Sequence, residues 1–243
     1  MPPPKGELRE GAGVFATTHW SVVARAGDSR SPEAAAAMER LCRTYWYPLY
    51  AFVRRKGHSH EDASDLTQAF FAQFLEKDYL HSVDARRGKF RTFLLTSMSH
   101  FMANERDKAQ AQKRGGGAQV FSLEAASAEE RYRLEPVERT TPETLFEQRW
   151  AQALLGVALD RLAAETEEAR FEVLKSFLLE EKGAISYDQA AAQLGVSPAA
   201  ITSAIYRMRA RFKALLVDEV TKTVDTPEAV EPELRQLLAA LNG

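Results

Sequence analysis

Cysteine is nearly absent. Cys42 is the single one among 243 residues, so no internal disulfide can form and a thiolate zinc site lacks its ligands. Cys42 is read as a small core residue. Long hydrophobic runs are missing too: no stretch approaches the ~18 consecutive apolar residues of a membrane-spanning helix. The start, Met1 to Gly13, is polar with Pro and Gly rather than basic and then apolar. A cytoplasmic protein without membrane contact is expected. Neither sign of charge prevails, since 32 Lys and Arg stand against 34 Asp and Glu for a net charge of −2. Alternating β-branched runs are scarce, which argues against a sheet. No Gly-x-Ser-x-Gly occurs, and Gly115-Gly116-Gly117 lacks both the strand context and the Lys-Ser/Thr of a phosphate-binding loop. The group most like a metal site is His58, His60, Glu61 and Asp62. A His-x-His pair on a turn beside helix-capping acids is read instead as solvated surface. Neither an enzyme nor a bound cofactor or metal is expected.

What is abundant is helix-forming residues: Ala, Leu, Glu, Arg and Gln dominate long segments, and the chain reads as all-α. Its length permits one large or two modest domains. Two helical domains are expected, at 31–115 and 143–220, joined by an acidic flexible linker at 116–142, with an N-terminal extension at 1–30 and a C-terminal tail at 221–243. Ser31-Pro32-Glu33 opens a helix to about Val53, with Leu41, Tyr45, Leu49 and Phe52 at helical spacing and Pro48 expected to kink or split it. Further helices are expected at about 61–80, 90–112, 143–163, 167–182 and 187–194. The segment 118–142 has weak periodicity, Pro136, Pro142 and many acids, as a solvated linker would. In the tail, Leu234, Leu237, Leu238 and Leu241 share one helical face, expected to pack on its own domain.

Charge distribution is more informative than its sum. From Arg86 to Arg114 eight basic residues and two acidic ones give a net of +6. From Glu124 to Glu147 the net is −4, and a second basic cluster, Arg207, Arg209, Arg211 and Lys213, has no acid between Ser197 and Val217. Two basic patches thus flank an acidic spacer.

The segment Tyr187 to Ile201 meets the steric demands of a helix-turn-helix. Ala191 is small where two helices cross, and Gly195 can take the left-handed turn conformation. Leu194, Val196 and Ile201 are expected to fill the angle between the helices. Ser197 can cap the second helix, and Pro198 at its first position loses no needed donor. The candidate recognition helix and its cap present Ser197, Ala199, Ala200, Thr202, Ser203, Tyr206, Arg207 and Arg209 to DNA. With few side chains suited to direct base readout, much of its affinity is expected from phosphate contacts that weaken with salt.

Two further motifs carry a resemblance. Glu61-Asp62-Ala63-Ser64-Asp65-Leu66-Thr67-Gln68-Ala69-Phe70-Phe71 matches an acidic helix ending in Asp-Leu-x-Gln-x-x-Phe, and Gly88-Lys89-Phe90-Arg91-Thr92-Phe93-Leu94-Leu95 matches Gly-x-Phe-x-x-Trp-Leu. In this order, ahead of a helix-turn-helix, they make the chain resemble the extracytoplasmic-function class of bacterial RNA polymerase sigma factors over roughly Ala35–Gly115 and Phe146–Val217. The resemblance implies sigma region 2 and region 4 domains, with core RNA polymerase and promoter DNA as partners. It assigns Asp65, Gln68 and Phe71, supported by Glu61 and Asp62, to the coiled coil of the polymerase β′ clamp. It assigns Lys89, Arg91, His100, Asn104, Arg106, Lys108, Lys113 and Arg114 to melting and capture of the −10 element. His100 stands where the family usually has Asn, and Phe93 where it has Trp. Region 4 would grip the −35 element, through Arg207 and Arg209 among others, and the polymerase β flap. For regulation the sequence leaves open an anti-sigma factor, a kinase that phosphorylates near Thr67 within the acidic helix, or the tail itself. Phe93, Leu94, Met98 and Phe101 are read as core. A conventional helix-turn-helix regulator would explain the C-terminal half equally well and leave the ordered acidic and basic motifs of the first half unexplained.

Overall fold

The computed structural model describes residues 32–75, 89–111, 123–135, 140–178 and 185–242. Ser31, Arg86 to Gly88, Lys113, Arg114 and the glycine triplet lie outside these residues. Helices account for every regular element described, and no strand occurs among them. In chain order they are α1 (Pro32–Arg55), α2 (His60–Leu75), α3 (Phe90–Ala111), α4 (Leu123–Arg133), α5 (Pro142–Ala164), α6 (Glu168–Leu178), α7 (Tyr187–Leu194), α8 (Pro198–Thr221) and, after a 3-10 turn at Pro227–Ala229, α9 (Val230–Asn242).

Contacts divide the chain into two compact units, one of residues up to Ala153 together with those from Thr221 onward, the other Leu154–Val220. The division falls within α5 rather than at its start. The buried side chains of the first half of α5, Leu145, Phe146, Trp150 and Ala151, belong to the first unit.

In the first unit, the periodic residues of α1 do what their spacing dictates: Tyr45, Leu49 and Phe52 are fully buried and Leu41 nearly so. Pro48 does not split α1, which runs unbroken through it. Burial of Tyr45, Leu49 and Phe52 on both sides of the proline holds the two halves together. An aromatic cluster joins the first three helices. Phe90 of α3 meets Tyr45 of α1 edge-on at 5.4 Å, and Phe70 of α2 meets Phe101 of α3 at 5.8 Å. Each buried ring contributes roughly 1.5–3 kcal/mol. Leu94, Met98 and Phe101 are buried as expected, while Phe93 is half-buried.

The acidic segment departs from expectation at its centre. Rather than a solvated linker, Leu123–Arg133 is a helix, with Ala128 and Glu129 buried on it and Glu135 buried just beyond its end. Weak apolar periodicity hid it, because α4 is fixed chiefly by polar contacts. Glu129 accepts from Tyr50 (2.7 Å) and from both Nε and Nη2 of Arg54 (3.0 Å each), and Glu135 accepts from Tyr47 at 2.8 Å and from Arg149. The Arg54 guanidinium also lies 4.8 Å from the Tyr132 ring, and that of Arg131 3.8 Å from Tyr47.

The tail also differs. It belongs to the first unit rather than to the helix-turn-helix domain beside it in sequence. Leu237 is fully buried, but Leu238 is 48% exposed, and the innermost polar residue of α9 is Glu233 at 0%. The reason is electrostatic: Glu233 meets basic groups at the start of α3.

The second unit holds the helix-turn-helix. Ser186 accepts from the Gln189 amide while the Gln189 side chain accepts from the Ser186 amide, closing a capping box at the start of α7. Gly195 ends α7 at φ +64°, ψ +32°, the left-handed geometry expected of it. Ser197 caps α8, accepting from Ala200 N at 3.3 Å. Ala191 and Ile201 are buried and Leu194 is half-buried, yet Val196 is 46% exposed and does not fill the interhelical angle. Tyr187 closes α7 onto α6 instead, stacking on Phe177 at 5.2 Å.

Candidate functional site

Three surfaces carry the residues singled out by sequence, two on the first unit and one on the second. On α2, the Ser59 hydroxyl caps the helix by accepting from Asp62 N at 3.0 Å, and Glu61 and Asp62 lie in its first turn, where the helix dipole favours them. Glu61, Asp62 and Asp65 are exposed and Gln68 is half-buried. A groove of about 390 Å³ runs beside them, with Leu66, Ala69 and Met102 on its apolar lining and Asp62, Asp65 and Arg106 among its polar residues. Acid around an apolar floor suits a basic, partly apolar helix. Phe71 is not part of this surface. It is 6% exposed and packs edge-on against Phe70 at 5.8 Å, so it supports the helix from within. Thr67 is likewise buried, donating to Ala63 O at 2.7 Å.

His58, His60, Glu61 and Asp62 do not converge. His60 Nδ1 lies 2.8 Å from the Tyr50 hydroxyl, and Asp62 is bonded to Ser59. No group of three or more His, Cys, Asp or Glu that could hold a metal ion occurs among the described residues.

The second surface is the outer side of α3. His100 and Asn104, one turn apart, are exposed. Arg106 and Lys108 follow with 72% and 63% of their side chains exposed, their contacts being local ones to Asp107 at 3.9 Å and Glu105 at 2.8 Å. At the other end of α3 the expectation fails. Arg91 is 3% exposed: its Nε lies 2.6 Å from Glu147, its Nη1 pairs with Glu233, its Nη2 lies 2.6 Å from Gln236, and its guanidinium sits 4.2 Å from the Trp150 ring. So enclosed, it cannot reach phosphate in this conformation. Lys89 is 2.8 Å from Glu233, and burial, reinforced by the nearby Arg91 charge, holds its ammonium below the ordinary lysine range. Sequence reasoning missed this cluster because Glu147 and Glu233 lie 56 and 142 residues from Arg91.

The third surface is the start of α8. Ala199, Ala200, Thr202, Ser203, Tyr206 and Arg207 are all exposed, Tyr206 at 76%. Two hydroxyls there already have intramolecular partners: Ser197 in its cap and Thr202 to Pro198 O at 3.2 Å. Arg209 is committed as well, donating from Nη2 at 2.6 Å to Phe177 O near the C-terminus of α6, where a cation complements the helix dipole. Arg211 pairs with Glu165 at 2.6 Å. Of Arg207 and Arg209, Arg207 is exposed with neither a hydrogen bond nor an ion pair described for it, and Lys213 farther along α8 is exposed as well.

An acid-fringed helix, an exposed polar and basic helix face, and a capped helix-turn-helix thus occur in one all-α chain. The model of the ECF sigma factor family matches residues 20–218. The chain belongs to the ECF sigma factor family. It is therefore a sigma factor, a DNA-binding protein of transcription initiation, and the class implies core RNA polymerase and promoter DNA as partners. No curated protein and no solved structure gave a significant match. No described helix is long and apolar enough to cross a membrane.

Proposed function

We propose that this sigma factor binds core RNA polymerase through the exposed face of α2, places the outer face of α3 on the −10 element and the start of α8 on the −35 element, and aids melting at the −10 element. In this reading the polymerase-facing residues are Glu61, Asp62, Asp65 and Gln68, and the β′ clamp is their partner. His100 and Asn104 meet an unstacked base while Arg106 and Lys108 follow the phosphates, as capture of a single strand requires. Arg207 grips −35 phosphates while Tyr206 and Ser203 face the groove. Residues 31–115 then act as region 2 and 143–220 as region 4, the latter also meeting the β flap. The protein works in the cytoplasm without a catalytic residue or cofactor, and an anti-sigma factor or kinase would control it by covering or charging these surfaces.

One observation carries the reading. The residues assigned to partners on α2 and α3, Asp65, His100, Asn104, Arg106 and Lys108, are exposed, while Phe70, Phe71, Met98 and Phe101 on the same helices form the core. A conventional regulator needs only the third surface. The test is a pull-down with bacterial core RNA polymerase followed by initiation in vitro from fragmented genomic DNA. Asp65→Ala should weaken holoenzyme assembly. Arg207→Ala should leave assembly intact, lower promoter affinity and reduce the salt slope by about 0.9, one phosphate contact. Duplex binding with no retention of polymerase would refute the proposal.

A further inference from the structure

The C-terminal helix α9 lies beyond the residues that the family model matches, yet it meets the basic residues Lys89 and Arg91 at the start of α3. Glu233, fully buried, faces Lys89 at 2.8 Å and pairs with Arg91, while the Gln236 carbonyl accepts from Lys89 and, at 2.6 Å, from Arg91 Nη2. A carboxylate and an amide oxygen therefore occupy positions that phosphate oxygens would take on these two cations. Arg106 and Lys108, farther along the same helix, are not covered in this way. Few residues anchor the cover: Glu233 and Leu237 are the buried ones of the thirteen in α9, and ahead of it Thr223 and Val224 are buried, with the Thr223 hydroxyl donating to Glu233 at 3.5 Å. A helix of that length is marginal in water by itself. Its entry runs through bends and a single 3-10 turn at Pro227–Ala229, a natural place for pivoting.

We propose that α9 is an electrostatic strap that covers the start of α3 and withholds Lys89 and Arg91 from nucleic-acid phosphate until it lifts. The inference rests on the reading that α3 faces promoter DNA. Closed, the strap leaves Arg106 and Lys108 as the working cations of this helix. Open, it frees Lys89 from Glu233 and Gln236 and leaves Arg91 held, among the described residues, by Glu147 and Trp150. The apparent affinity for a single strand is then scaled by the fraction of molecules with the strap open.

The experiment uses the full chain and a short fluorescein-labelled, random-sequence single-stranded DNA, with binding followed by anisotropy across a salt series. Glu233→Gln combined with Gln236→Ala should raise hydrogen exchange in α9, tighten DNA binding about tenfold for a strap closed about nine-tenths of the time, and steepen the salt slope by about 0.7 for each cation freed. Leu237→Ala, which removes the apolar anchor and leaves the charges in place, should give the same gain. Arg106→Ala with Lys108→Ala separates the two levels of the argument. If that pair weakens binding while α9 release changes neither affinity nor slope, the strap is refuted and the assignment of α3 to DNA stands. If neither set alters binding, both fall. Global unfolding of the first unit by Glu233→Gln and by Leu237→Ala, seen as loss of its cooperative urea transition, would make α9 part of the core and overturn the proposal.

Discussion

Replacing Glu129 tests whether polar contacts, rather than an apolar face, hold the acidic segment against α1. Its carboxylate accepts from Arg54 through two bonds of 3.0 Å and from Tyr50 at 2.7 Å, with 12% of the Glu129 side chain and 19% of the Arg54 side chain exposed. A hydrogen bond to a charged group contributes about 1.5–3 kcal/mol, and breaking a fully buried pair costs about 3–5 kcal/mol. Arg54 retains some solvent access and its bond to His58 O, so Glu129→Ala should lose about 2–3 kcal/mol. Glu129→Gln keeps an acceptor for Tyr50 and should lose about 1–2 kcal/mol. With a urea dependence of about 1–3 kcal/mol per molar, the alanine variant's midpoint should fall by roughly 0.7–3 M. The effect has a pH signature. Burial alone would push the Glu129 carboxyl up, but the hydrogen bonds from Tyr50 and Arg54, with the Arg54 and His60 charges, hold it below its ordinary value of 4.5. A carboxyl depressed by folding stabilises fully above the unfolded value and loses that contribution as acid protonates the folded form. The wild-type advantage over Glu129→Ala should therefore be constant at neutral pH and close progressively below about pH 4.5. A loss under about 0.5 kcal/mol, or a gap independent of pH into the acid range, would refute a charge-held α4.

Unit-specific stability offers three further checks. Gly195→Ala meets no atom within 4 Å of the added Cβ, so its cost is that of the left-handed backbone alone, about 1–2 kcal/mol by thermal melting; a neutral result would show that the turn adopts another geometry. Arg161, 37% exposed, pairs with Asp218 and with Glu219, which is 3% exposed, so Arg161→Ala should cost about 1–2 kcal/mol in the transition of the second unit while Arg161→Lys recovers part of it. Thr67→Glu places a charge at a fully buried position and should destabilise the first unit by more than about 3 kcal/mol, whereas Thr67→Val should cost about 1 kcal/mol; a well-folded Thr67→Glu protein would show that this site opens readily.

Local rules sufficed wherever neighbours in sequence decide the outcome. The helical spacing of Tyr45, Leu49 and Phe52, the Ser197 cap, and Gly195 between α7 and α8 each follow from residues within a few positions of one another. The same locality made the acidic and basic motifs readable and with them the family. Sequence could not say which charges are spent inside the molecule. Arg91 has the composition of a phosphate contact and becomes a buried ion pair because Glu147 and Glu233 arrive from α5 and α9. Glu129 has the look of solvated linker and becomes an anchor because Tyr50 and Arg54 await it on α1. Phe71 fits a docking motif yet turns inward to Phe70. An ionic group gains or loses several kcal/mol according to what surrounds it, and those surroundings come from distant segments, so only the tertiary structure sorts working charges from structural ones.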